Sequence, residues 1–255
     1  MIKYNDKLFD TVICDLDGVL TDTASLHNEA WKQMFDLFLQ EYSQKHSIPF
    51  APFDPAEEYL KYIDGRPRYE GASAFIASRG IDFPFGDPDD PPGKETICSL
   101  ANKKNQLYQS LIETEGVKAF PDAVEKVKQW QTRGYKLAVI SASKNCRKIL
   151  NVANLNHFFE IIIDGNDAIN WKLKGKPQPD VFIAAADKMG TKPADAVIIE
   201  DAVSGVQAGK YGGFGLVIGM ARDNQNSSQL KENGAHIVVS TFWQIPDTDT
   251  KNPNG

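Results

Sequence analysis

The sequence of 255 residues is poor in cysteine, in long apolar runs and in surplus positive charge. Its three cysteines, Cys14, Cys98 and Cys146, are odd in number, widely spaced and in no C-x-x-C pairing. That pattern speaks against a disulfide framework and fits a reducing compartment, with the thiols serving as small apolar side chains. No stretch approaches a membrane span, and the opening MIKYNDKLFDTVICDLDG has no apolar run long enough for the core of a signal peptide. Lys plus Arg number 28 against 34 Asp plus Glu, a net charge of −6 with an isoelectric point near 5.3. Nucleic acid and anionic membranes both demand a basic footprint, so neither is expected as a partner, although a local basic pocket is compatible with this balance. What remains is 42% hydrophobic and 24% charged, an ordinary globular composition. A chain of this length buries a core without staples. The expectation is a soluble, cytoplasmic monomer.

Short β-rich apolar runs recur at Phe9–Cys14, Lys136–Ile140, Phe159–Ile163, Ala196–Ile199, Gly215–Ile218 and His236–Val239. Between most of them lie stretches with helical spacing: Ala123–Thr132, Cys146–Ala153, Pro179–Lys188 and Ser204–Tyr211. Continuous apolar strands alternating with helices predict an α/β fold, a doubly wound parallel sheet covered on both faces. The alternation is interrupted from Thr23 to about Ala119, where Ser25–Tyr42, Ala56–Ile63, Tyr69–Arg79 and Glu95–Thr114 read as helices and no convincing strand is found. The stretch Asp82–Gly93, DFPFGDPDDPPG, reads as a loop. The predicted organisation is therefore an α/β core from residues 1–22 and 120–250, an inserted helical cap at 23–119, and a frayed tail at 251–255. An insertion leaving the carboxyl end of the first strand emerges where open α/β sheets bind ligands.

Four strand ends carry chemistry. Asp15 and Asp17 follow the first apolar run, and at a spacing of two on extended backbone both side chains face the same way. Two adjacent carboxylates repel, so a site holding both ionised wants a divalent cation; with one ionised, the pair offers a nucleophile or base beside a general acid. Ser141 ends the Lys136–Ile140 run and leads through SASKN into a helix, a fair cradle for an oxyanion. Lys176, held between Gly175 and Pro177, is a fixed positive charge. Glu200 and Asp201 close the Ala196–Ile199 run, where a buried strand running straight into two acids needs a compensating charge. Taken singly, each element also reads as something plain: a turn with solvated acids, an N-cap serine, a surface lysine, or a helix start with acids in its first turn. Taken in order, they make a site for one hard divalent cation and one phosphoryl group. Oxygen-only ligands and a phosphate partner favour Mg²⁺ over zinc.

With all four motifs present in order, the sequence resembles the haloacid dehalogenase superfamily, and within it the β-phosphoglucomutase branch, over nearly the whole chain. Two lengths of the helical module, around Phe38–Phe53 and Asp82–Thr96, are extra. The resemblance implies an aspartyl-phosphate formed on Asp15, with Asp17 as general acid and base. It implies Mg²⁺ held by the Asp15 carboxylate, the Asp17 carbonyl, Asp201 and Glu200. It further implies that Ser141, the Ala142 N–H and Lys176 hold the transferring phosphoryl group. In the inserted module, TDTASLHNEAW matches the branch with Thr23 at the hinge, His27 orienting the general acid and Trp31 lining the cap. GRPR matches the loop for the substrate phosphate, with Gly65 and Arg68, and LANKKN matches the segment that carries Lys104. Ser143, Lys144 and Asn145 are implied to hold the distal phosphate from the core. The implied reaction converts β-glucose 1-phosphate to glucose 6-phosphate through a bisphosphate. A sugar-phosphate phosphatase would share every one of these groups and differ only in the acceptor. Ala202 stands where the branch often has serine. A phospho-accepting signalling module uses a similar set, but such modules have about half this length and no insertion after the first strand.

Overall fold

A computed structural model describes residues 1–63, 66–223 and 226–248. The tail at 251–255 lies outside the described residues. The chain opens with a hairpin, β1 (Ile2–Tyr4) and β2 (Lys7–Phe9), then β3 (Thr11–Asp15) and β4 (Thr21–Asp22). Helix α1 (Ala24–His46), a π-helical turn at Tyr59–Ile63, α2 (Arg68–Ser78) and α3 (Ile97–Thr114) follow. The chain continues through β5 (Lys118–Ala119), α4 (Pro121–Thr132), β6 (Lys136–Ile140), α5 (Cys146–Val152), β7 (Ile161–Ile163), α6 (Gly165–Asn170) and α7 (Asp180–Lys188). It closes with β8 (Ala196–Glu200), α8 (Val203–Tyr211), β9 (Leu216–Met220), α9 (Ser227–Asn233) and β10 (Ile237–Val239).

Six of these strands form one sheet in the order β10-β9-β8-β3-β6-β7. Every pairing in it is parallel. Strand β3, TVICD, is buried along its whole length because it has a parallel neighbour on each side and helices on its faces, which is why it reads as a continuous apolar run. From β3 the chain later builds β6 and β7 on one side and β8, β9 and β10 on the other, so the order reverses at β3. The carboxyl ends at such a reversal are where α/β sheets place ligands. Here those ends present Asp15, Ser141 and Glu200. Pro121 at the first helical position, with Asp122 beside it, starts α4 cleanly.

Contacts divide the chain into two units, one of Met1–Thr23 with the residues from Val117 onward, the other of Ala24–Gly116. The second unit has its own apolar core, in which Phe35 packs against Phe75 and Phe53 with ring centroids 4.1 Å and 5.1 Å apart.

The fold departs from the sequence reading in several places. Phe9–Cys14 is not one strand: the chain breaks at exposed Asp10, and Phe9 belongs to the β1–β2 hairpin. Antiparallel β4 and β5 pair Thr21 with Ala119 and Asp22 with Lys118, two residues each, too short to leave a pattern. The helix expected over Ala56–Ile63 is largely a π-helical turn. Helices α6 and α9 were not anticipated; α6 is set by a capping box between Asp164 and Asp167 that the six-residue helix hides. Asp82–Gly93 contains neither helix nor strand, as its composition predicts. Among the described residues no helix is long and apolar enough to cross a membrane.

A buried polar knot closes the first unit. The Asp247 carboxylate accepts from Arg133 Nη1 at 2.8 Å and 2.9 Å and from Trp130 Nε1 at 3.1 Å, with Lys126 Nζ at 3.2 Å. Both Asp247 and Lys126 side chains are fully buried. Burial alone would raise the Asp247 pKa, but Arg133, Lys126 and Trp130 outweigh it and hold it at about 2. Asp247→Ala strands a buried ammonium and is expected to cost about 3–5 kcal/mol in urea unfolding. A carboxyl depressed on folding stabilises fully above its unfolded value, about 3.9. The contribution of Asp247 should therefore fade as pH falls from there through about 2. A variant of unchanged midpoint at neutral pH would sink this assignment.

Candidate active site

Asp15 ends β3 and Glu200 ends β8, with Asp201 next in the chain. Each offers one carboxylate oxygen, and the three oxygens lie within 4.8 Å of one another. Lys176 Nζ reaches into this group, bonding Asp15 Oδ1 and, at 2.8 Å, Glu200 Oε2. Lys176 follows α6 by a short turn and its peptide to Pro177 is cis. Burial would lower its pKa, but the charges of Asp15 and Glu200 prevail and raise it, so it stays an ammonium. Burial, then the charge of Asp15, raises the pKa of both Glu200 and Asp201.

Two glycines make room for the acids. Gly18 has φ +76°, and a Cβ there would lie 1.9 Å from Asp201 Oδ2. A Cβ on Gly205 would fall 2.0 Å from Glu200 Cδ. Alanine at the first also meets backbone strain, and at the second a carboxylate already bonded by Lys176 and by the Ala202 N–H at 3.3 Å.

Asp17 lies outside this trio. Its Oδ1 accepts from Thr23 Oγ1 and its Oδ2 from Ser141 Oγ at 3.0 Å. Burial first, and then the charge of Asp15, raises its pKa against the pull of those two hydroxyls and of Lys176. Ser141 is thus engaged with Asp17, and its Oγ also accepts the Ser143 N–H at 3.0 Å. Ser143 Oγ accepts the Asn145 N–H at 3.1 Å, while Ala142 and Lys144 are exposed on the same turn. Arg147, which sequence reasoning overlooked, fastens this turn to α6 through Asp164 at 3.0 Å and Asp167 at 2.8 Å.

The residues singled out in the inserted unit gather into a second cluster. Lys104 Nζ lies 2.7 Å from His27 Nδ1, 5.1 Å from the Trp31 ring centroid and 4.7 Å from that of Tyr108. His27 stacks on Tyr108 at 4.0 Å. Burial, aided by Lys104, pushes the His27 pKa down to about 3, so the ring is neutral. Burial and then the charge of Arg68 bring Lys104 down to about 7. Arg68 starts α2 and bonds Tyr69 and Asn102. Gly65 lies outside the described residues. Tyr108 was missed by the sequence reading, although its place four residues beyond Lys104 on one helix was the available signal. All three cysteines are buried and unpaired, and burial first of all raises their pKa values, so the thiols are inert.

A cluster of acids exceeding its one lysine, Asp15 and Glu200 buried and Asp201 half-buried, all oxygen donors, fits a hard divalent cation, and these three are the residues that would hold it. Next to it, Asp15 is bonded by the Lys176 ammonium, and Asp17 is a carboxyl whose surroundings favour the proton.

A model of haloacid dehalogenase-like hydrolases matches residues 9–213. A β-phosphoglucomutase of Mycobacterium bovis is 41% identical over 233 residues, covering 91% of this chain and 89% of the relative. A fructose-1-phosphate phosphatase of Escherichia coli is 27% identical, over 81% and 94% respectively. Among solved structures, a β-phosphoglucomutase from Clostridium difficile superposes with a TM-score of 0.65 at 26% identity, covering 92% of each chain. The chain belongs to the haloacid dehalogenase-like hydrolase family, and is an enzyme of the phosphotransferase or phosphatase type.

Proposed function

We propose that this enzyme is a Mg²⁺-dependent β-phosphoglucomutase, converting β-glucose 1-phosphate to glucose 6-phosphate through an aspartyl-phosphate on Asp15 and a bisphosphate intermediate. Phosphoryl transfer is supported by the unequal treatment of two carboxyls two residues apart, and the choice of a mutase by the 41% identity to the Mycobacterium bovis β-phosphoglucomutase. Asp15 bonds the Lys176 ammonium, whereas Asp17 is buried between hydroxyls with its pKa raised. Favouring the proton on one of two neighbouring acids, while an ammonium bonds the other, is how a site separates a general acid from a nucleophile.

An Asp15 oxygen attacks phosphorus as the bond from phosphorus to the ester oxygen breaks, and the Asp17 proton passes to that oxygen. In the return step Asp17 takes the proton of the attacking sugar hydroxyl, whose new bond to phosphorus replaces the one to Asp15. Lys176, with the backbone at Ala142, meets the charge on the transferring oxygens. Bound by Asp15, Glu200, Asp201 and the Asp17 carbonyl, Mg²⁺ would supply Lewis-acid neutralisation of the phosphoryl group. Arg68 and the Ser143–Asn145 turn hold the substrate's other phosphate, for which a guanidinium fork is suited. His27, Trp31 and Lys104 serve the sugar and the general acid, and Thr23 serves Asp17 directly. The same reading takes the enzyme to be a cytoplasmic monomer acting on a small sugar phosphate, in keeping with its acidic balance and unpaired thiols.

A sugar-phosphate phosphatase is the second reading, favoured by the Escherichia coli relative. The two part on product. Supplied with β-glucose 1-phosphate, Mg²⁺ and a trace of the 1,6-bisphosphate, the enzyme should accumulate glucose 6-phosphate. Stoichiometric inorganic phosphate in its place would make it a phosphatase.

A further inference from the structure

The loop at 82–96 is one of the two lengths that the family pattern does not explain. It is tied down throughout. The Ile97 and Cys98 N–H groups at the start of α3 donate to Pro84 O at 2.8 Å and Phe85 O at 3.0 Å, so loop carbonyls satisfy donors that a helix end leaves open. Thr96 caps the same helix, accepting the Ser99 N–H at 3.1 Å, and donates to Asp90 Oδ2 at 2.8 Å. Ser99 Oγ donates to Pro91 O at 2.8 Å. The buried Asp90 carboxylate also bonds Lys94 and, at 3.0 Å, the Asp87 N–H.

This anchored loop ends in a relay onto Arg68. Asn102 Nδ2 donates to Pro88 O and to Asp90 O, each at 2.9 Å. Its Oδ1 accepts from Tyr69 Oη at 3.1 Å and from Arg68 Nη2 at 3.4 Å. Tyr69 Oη accepts from Arg68 Nη2 at 2.9 Å and lies 3.3 Å from Pro88 O. Both amide protons and both lone pairs of Asn102 are in use, and a flipped amide would set NH₂ against the guanidinium, so the arrangement admits one orientation. Among the described residues only Nη2 of Arg68 is engaged, which leaves the Nε–H and both Nη1–H groups for an anion.

We propose that Asn102 and Tyr69 are positioning residues that brace Arg68 against the loop at 82–96, so that this extra segment fixes the guanidinium for the substrate's distal phosphate. The inference rests on the reading of Arg68 as the phosphate-holding residue. An arginine free to sample rotamers loses entropy on binding an anion; one held in place has already lost it. The brace therefore acts on binding, in ground and transition states alike, and its loss belongs in KM.

The test is a KM and kcat comparison of Arg68→Ala, Asn102→Leu and their combination, with β-glucose 1-phosphate. Asn102→Leu should raise KM about tenfold, the worth of one bond to a charged group, with kcat within about twofold. In the Arg68→Ala background it should add nothing, because no guanidinium is left to position. If the two factors multiply instead, or if Asn102→Leu lowers kcat alone, the brace is overturned. Should Arg68→Ala leave KM unchanged, the phosphate-holding reading itself falls, a result distinct from a normal Asn102→Leu beside an impaired Arg68→Ala. Tyr69→Phe, which keeps the ring 4.9 Å beneath the guanidinium and removes one acceptor, decides the matter where Asn102→Leu does not fold. It should raise KM severalfold in the wild-type background only.

Discussion

Asp15→Asn should abolish phosphoryl transfer, by about 10⁴-fold or more, as expected when the group that forms the covalent intermediate is removed. The substitution keeps the shape at the end of β3, and Lys176 retains its bond to Glu200 at 2.8 Å, so the fold and the ammonium stay in place. An amide neither attacks phosphorus at a useful rate nor balances the ammonium. The loss should fall on kcat, while a phosphate analogue still binds. The check has two arms: rapid-quench trapping of an acid-stable or hydroxylamine-sensitive phosphoenzyme, and steady-state turnover. Wild-type enzyme should give the trapped species at Asp15 and the variant none. Turnover above about a tenth of wild type, with mass spectrometry showing asparagine intact at that position, would remove Asp15 from its role and the mutase and phosphatase readings with it.

The sheet was legible because its strands are buried on both faces. A strand such as β8, AVIIE, has no water-facing side to interrupt its apolar run, and the run ends where the acids begin. The same burial that makes β8 legible makes Glu200 conspicuous, since a charge at the end of such a run has to be answered. Lys176 answers it, and a lysine between Gly175 and Pro177 gave only a hint of that. What was not legible is set by single contacts across long sequence separations. Asp17 and Ser141 are 124 residues apart, and Lys176 and Asp15 are 161 apart, so no local pattern records either bond. Asn102 gave no signal at all: an asparagine in a helix reads as a side chain turned to water until Pro88 and Asp90 are seen to accept its amide protons. Tyr108 was readable only after Lys104 had been placed. The hairpin β1–β2 and the pair β4–β5 are too short for any periodicity to survive.

Asp17→Asn separates proton transfer from everything else in the site. The amide can still accept from Thr23 or Ser141 through its oxygen, but its nitrogen must displace one of those hydroxyls, so Ser141 or Thr23 has to turn and accept. That is a local adjustment, and the trio Asp15, Glu200 and Asp201 keeps its ligand atoms. What disappears is the proton for the leaving oxygen. Removing a general acid costs about 10²–10⁴-fold when the leaving group is a poor one. A sugar alkoxide is such a group. A p-nitrophenolate leaves without help. Phosphorylation of the enzyme by β-glucose 1,6-bisphosphate should therefore collapse in Asp17→Asn, while phosphorylation by p-nitrophenyl phosphate should fall by about tenfold or less, on the same general-acid reasoning. Burst-phase measurement of the first turnover reads this step directly, before any return transfer. Equal losses with both donors would mean that Asp17 serves the site through its charge or its fold. An unequal loss in the stated direction is a result that no structural role of Asp17 produces, because both donors meet the same protein and differ only in the oxygen that must leave.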